Sequence, residues 1–319
     1  MIETHGEACR LGWIAYICNL LDEAGEMEVN LLTKTISEAA ASMLRREIRK
    51  AARPRLPEYY GLPSSRPAAT HYLYAILSMG LCDRRLVEVP RAGRIAYYRA
   101  NAFTRLVASS RVWGGSATVN SITNLDNYLP GLKMIFHDIL TRDQIFQGLR
   151  RMLAKMYSRG RGAVTRVNLF KMIFVGRGYD PKSREYNRFR HNYEPRLWFM
   201  RDLGWLEIEK AKPRDQRGPP QAVYKPTPLI ALAPERLASI YGLKPFQPDD
   251  RLIAGLEEFI SANFRRQQVE RQKLEDALRW WLYLRGYYPD QSRSIVDLMM
   301  MLGACGMGLV NDSEVYVEG

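Results

Sequence analysis

Residues 184–224 read REYNRFRHNYEPRLWFMRDLGWLEIEKAKPRDQRGPPQAVY, and this stretch decides the fold. A basic approach segment leads into a candidate helix that ends at Leu203-Gly204. Glycine is the residue that most readily takes the left-handed conformation past a helix end. Trp205 to Glu209 then alternates as a strand, and Ala222 to Lys225 alternates as its return. Between them lies a loop with Lys210, Lys212, Arg214, Arg217 and two adjacent prolines. The order is helix, glycine stop, hairpin with a basic tip.

The charge of the chain gathers around this stretch. Net charge is +13 over 319 residues, with a pI near 9.6. From Arg150 to Ile230 there are nineteen bases and seven acids, an excess of +12, which is nearly the whole imbalance. Such a footprint is what a polyanion binder carries. Arginine outnumbers lysine about three to one. Guanidinium suits bidentate phosphate and guanine contacts, although genomic base composition explains the bias equally well.

Outward from the stretch, the N-terminal third repeats its punctuation. Leu11 to Ala24 keeps a 3.6-residue apolar period and stops at Gly25. Ser37 to Ala52 predicts a second helix, and Pro67 to Gly80 a third, capped by Ser64 or Ser65. Strands follow at Leu86 to Val89 and Ile95 to Arg99. LYAILSMGLCDRRLVEV precedes RIAYY as RLWFMRDLGWLEIEK precedes AVYKP, which reads as a degenerate internal repeat. Val107 to Thr123, small and polar, reads as a linker. Pro130 to Tyr157 and Thr165 to Val175 predict helix, while Leu252 to Phe264, Gln268 to Leu284 and a segment through Met301 predict a helical C-terminal region.

The run Arg196-Leu197, Met200, Leu203-Gly204-Trp205-Leu206-Glu207 resembles the end of a recognition helix and the next strand in winged helix-turn-helix regulators. The resemblance spans Leu132 to Leu232 well and Leu11 to Ala102 less well, as a pattern of residue classes. It implies a mainly α fold with small β-hairpins: tandem winged-helix domains at 1–106 and 130–241, a linker at 107–129, and a helical region at 242–319. Val310 to Val315 as a last hairpin would make a third such unit. The resemblance also implies double-stranded DNA as partner. Asn192, Tyr193, Glu194 and Arg196 then stand at the leading turn of the recognition helix. Lys210, Lys212, Arg214 and Arg217 stand on the wing, and Arg184, Arg188 and Arg190 on the approach. Pro195 fits that placement when the helix starts near Asn192 to Glu194, where a missing N–H costs nothing. A start at Ser183 puts Pro195 inside the helix and moves the leading turn.

Other readings weigh less. Leu197, Met200 and Leu203 read as core, and Trp198 and Trp205 as packing residues. Cys9, Cys18, Cys82 and Cys305 lack ligand spacing, so neither zinc nor another cofactor is expected, and a reducing cytoplasm is. No signal peptide or bilayer-spanning run is read from the chain. There is no GxxxxGK[ST] or GxSxG, and Gly303 to Gly308 lacks a strand-to-helix context. Asp180 with Glu207, Glu209 and Lys210 makes a poor nuclease set. The expected function is DNA binding by a transcription regulator, not an enzyme. The alternatives are a replication initiator or partition protein of a mobile element, and a winged-helix scaffold for proteins. Leu274, Leu278, Trp281 and Leu282 form a stripe suited to packing or to a homodimer.

Overall fold

A computed structural model describes residues 2–4, 8–50, 61–90, 93–112, 117–160, 162–211 and 221–318. The chain is mainly helical with small antiparallel sheets. The first unit runs α1 (Leu11–Ala24), β1 (Glu26–Glu28), α2 (Val29–Lys50), α3 (Arg66–Ser78), β2 (Asp83–Val89) and β3 (Gly93–Arg99). Connecting helices α4 (Ala102–Ser109), α5 (Val119–Thr123) and α6 (Gly131–Thr141) follow. The middle unit runs α7 (Gln144–Ser158), β4 (Val164–Thr165), α8 (Arg166–Ile173), α9 (Arg184–Arg188), a π-helical turn (Phe189–Tyr193), α10 (Glu194–Asp202), β5 (Leu206–Ala211) and β6 (Gln221–Pro226). After α11 (Pro234–Ile240) and β7 (Lys244–Pro245), the third unit runs α12 (Asp250–Phe264), β8 (Gln267–Glu270), α13 (Arg271–Leu284), β9 (Tyr287–Tyr288), α14 (Ile295–Met301), β10 (Gly308–Asn311) and β11 (Glu314–Val317).

All three units share one connectivity: helix, short strand, two helices, hairpin. Their sheets also share one order, with the short strand pairing the last strand of the hairpin: β1-β3-β2, β4-β6-β5 and β10-β11-β8. Every one of these pairings is antiparallel. The C-terminal region, expected to be helical with a last hairpin at Val310 to Val315, carries that hairpin as β10 and β11 and pairs it with β8. Its short strand, Gln267–Glu270, is largely polar and lies inside what the sequence reads as the start of a helix.

Local chemistry accounts for the element ends. Ser65 accepts a hydrogen bond from the Ala68 amide and Pro67 sits in the first turn of α3, as expected. Gly204 takes φ +78 where the middle unit leaves its third helix. Two expectations change. The helix expected over 130–157 is two helices, because Asp143 turns inward and its carboxylate accepts the Phe146 amide at 2.9 Å, capping α7. The second helix begins at Val29, eight residues before the expected Ser37 cap, since Thr33 and Ser37 return their hydroxyls to carbonyls of the preceding turn.

The expected linker is packed against the core. Val119, Ile122, Leu125 and Tyr128 are buried, and the Tyr128 hydroxyl donates to the Gly12 and Ile122 carbonyls. A Cβ on Gly12 would lie 1.8 Å from the Ile122 oxygen. One apolar core runs through all three units. α13 packs on α4 and α6, with Phe103 edge-on to Trp280 at 4.8 Å. Gly131 in α6 is the closest approach there, since a Cβ would meet the Tyr283 carbonyl oxygen at 2.1 Å and its carbon at 2.3 Å. Backbone cannot swing away as a side chain can, so Gly131→Ala is expected to cost about 3 kcal/mol or more by overpacking. Urea unfolding of the variant checks this, and a loss under about 0.5 kcal/mol would mean that α6 and α13 slide freely. Among the described residues, no helix is long and apolar enough to cross a membrane.

Candidate nucleic-acid interface

The third helix of the middle unit starts at Ser183, whose hydroxyl accepts the Tyr186 amide at 3.0 Å. The turn before it is set by Asp180, which accepts the Lys182 amide at 2.9 Å and, through its carbonyl, the Ser183 hydroxyl. Aromatic rings fix this turn against α8: Tyr179 meets Phe170 and Tyr186 edge-on at 5.3 and 5.4 Å. The Arg166 guanidinium lies over Tyr186 and pairs with Glu194 at 2.7 Å. Burial raises the Glu194 carboxyl above its usual range, and Arg166 opposes that rise.

From Ser183 the chain is helical to Asp202, so Pro195 lies inside it. Proline there removes the amide that would bond the His191 carbonyl. The π-helical turn Phe189–Tyr193 loosens the spiral just before it, and the Glu194 amide reaches back to the Phe189 carbonyl. The carbonyls released find other donors. The Thr4 hydroxyl donates to the His191 carbonyl at 3.0 Å, and Arg196 Nη1 donates to the Asn192 carbonyl. The helical run around Pro195 is thus tied to Thr4 of the N-terminal segment.

This geometry corrects the expected leading turn. Arg196 does not face outward: it is 1% exposed. Its Nε and Nη2 grip both oxygens of Asp143 at 2.8 Å. Nη2 also donates to the Ile2 carbonyl at 2.9 Å, and Nη1 to the Thr4 hydroxyl at 2.6 Å and to Asn192. All five guanidinium N–H groups are used inside the protein. Asn192 and Tyr193 are half-buried and Glu194 is buried, all well inside the continuous helical run that begins after Ser183. The leading turn is formed by α9 instead. Arg184, Asn187 and Arg188 occupy positions i, i+3 and i+4 and are exposed, so they share one solvent face. Arg190 is exposed beside them, and none of the three arginines makes an ion pair with another described residue. Lys171, Arg177 and Lys182 are exposed on α8 and the turn that follows it.

No family model, curated protein or solved structure matches this chain.

The expected wing follows the register Leu206↔Pro226 to Ala211↔Gln221. Lys210 lies in β5 opposite Ala222. Lys212, Arg214 and Arg217 fall outside the described residues, as does the geometry expected of them. Lys225 on β6 pairs with Glu209 at 2.7 Å, so that strand base is offset; Asp180 lies in the turn and is not beside Glu209 in this ladder. Among the described residues, no group of three or more His, Cys, Asp or Glu side chains is arranged to hold a metal ion. The corresponding surfaces of the other units are less basic. Arg85 and Arg94 of the first hairpin pair with Glu26 and Glu88, and α14 has no basic residue. The sequence reading missed Asn187. Its signal was Ser183, a good N-cap placed just before Arg184 and Glu185.

Proposed function

We infer that the protein binds double-stranded DNA through its middle unit, as a winged helix-turn-helix, and acts in transcription regulation. The observation that carries this reading is the exposed face of Arg184, Asn187 and Arg188, with Arg190 beside it, at the start of the third helix. Helix, strand, two helices and a hairpin, with the short strand paired to the last, is also the connectivity of that module. A helix fits the major groove, arginine matches guanine or phosphate, and asparagine matches adenine. A regulator needs to occupy a duplex site, and such an interface suffices for that task.

The test is binding of the full-length chain to random duplex DNA, single-stranded DNA and duplex RNA over a salt series. Duplex DNA is expected to bind tightest. Four phosphate contacts would give a log–log slope of about −3.6. Undetectable binding, or affinity indifferent to salt, would remove the reading; stronger binding to duplex RNA would redirect it.

A further inference from the structure

We propose that the cleft between α7 and α13 binds a phosphorylated small molecule of nucleotide size. The cleft lies where the middle and third units meet and has a volume of about 910 Å³. That is within the range of small-molecule pockets and far more than a lone phosphate fills. Its two walls differ in how their charges are met. On the α13 wall, Arg142, just past the end of α6, pairs with Asp276 at 2.5 Å, and Arg279 pairs with Glu275 at 2.8 Å. Glu275 also accepts the Ile295 and Val296 amides, capping α14. These charges are satisfied within the fold.

The α7 wall is not matched in this way. Arg150 is half-buried, lies over the Trp205 ring at 4.6 Å, and donates to the Ile230 and Leu232 carbonyls at 3.1 and 2.7 Å. Among the described residues no carboxylate pairs with it, so its charge is met only by those carbonyls and the ring. Arg151 and Lys155 are exposed on the same wall, i and i+4 on α7, also without an ion pair among the described residues. Three cations facing one concave space form an anion site, with guanidinium forks suited to phosphoryl oxygens. The exposed side-chain amides of Gln147 and Gln291 also line the cleft and offer a donor and an acceptor to the rest of such a molecule.

The experiment is calorimetric titration and thermal denaturation of the full-length chain with ADP and, separately, with pyrophosphate. ADP is expected to bind saturably, one per chain, and to raise the melting temperature. Pyrophosphate is expected to bind more weakly, since it fills only a small part of the cleft. R151E/K155E changes exposed residues, so the unliganded melting temperature should hold. ADP affinity should fall about tenfold or more through the loss of charged hydrogen bonds. R151A/K155A gives the same readout without added negative charge. Three outcomes overturn the proposal: no saturable binding of ADP, ADP binding retained in both variants, or pyrophosphate binding as tightly as ADP.

Discussion

Arg196→Ala is expected to destabilise the protein by about 3–5 kcal/mol, the cost of leaving a buried charge without its partner. The partner is Asp143, whose side chain is fully inaccessible and whose oxygens also accept the Ile2 and Phe146 amides at 2.8 and 2.9 Å. Removal of the guanidinium leaves Asp143 buried, strips the Ile2 carbonyl and the Asn192 carbonyl of donors, and frees Thr4. Urea unfolding of Arg196→Ala, Asp143→Ala and the double variant measures this. The double variant should lose less than the sum, because the second change removes a charge the first had stranded. DNA affinity, corrected for the folded fraction, should be unchanged by Arg196→Ala. A loss below about 1 kcal/mol, or a selective loss of DNA affinity, would overturn the buried role. The same cluster sets an acid response. Burial alone would raise the Asp143 carboxyl, but Arg196 and the two amides outweigh it and hold its pKa below the usual value. A depressed folded pKa means that its stabilisation is complete above about pH 4 and is lost as pH falls through the lower folded value. Stability of the wild type should therefore drop more steeply below pH 4 than that of Asp143→Asn.

Replacing Arg184, Arg188 and Arg190 together by alanine is expected to weaken duplex binding to all sequences. If each meets one phosphate, the salt slope shrinks by about 2.7 units, which amounts to roughly a thousandfold in affinity at ~50 mM salt. Stability should move little, since all three are exposed and substitutions at such sites typically stay within about 0.5 kcal/mol each. Asn187→Ala separates positioning from readout. On the same face, Asn187 can pair with adenine, so its loss should cost a preferred site about 1–3 kcal/mol while random duplex is barely affected. An unchanged slope in the triple variant would place the phosphate contacts elsewhere, with Lys212, Arg214 and Arg217 the next residues to replace.

Much of the local architecture was legible in the chain. The glycine at 204, the serine–proline start of α3 and the alternation at Trp205 to Glu209 act through the backbone of their own neighbours. Such signals survive without knowing the fold, which is why helix, glycine and hairpin could be read in two units. Net charge is equally a property of sequence, so the basic middle region was visible as well.

What failed to read depended on distant partners. Pro195 alone does not say whether a helix stops or continues. The helix continues through it, and Thr4, 187 residues away from His191, supplies a donor to the stranded carbonyl. Arg196 looked like a surface arginine because burial of a guanidinium needs a carboxylate at hand, and Asp143 reaches it only across a separation of 53 residues. Val107 to Thr123 looked like a linker because many of its residues are small and polar, but its Val119 and Ile122 are buried, with the Ile122 backbone seated against Gly12 of α1. The sheet of the third unit needs Gln267–Glu270 to pair with Glu314–Val317, a ladder that no local propensity announces. The sequence by itself determined the element ends and the concentration of charge, because both are set by residues and their near neighbours. Only the tertiary structure decided which bases face solvent, because exposure depends on whether a carboxylate from elsewhere in the chain arrives to bury them.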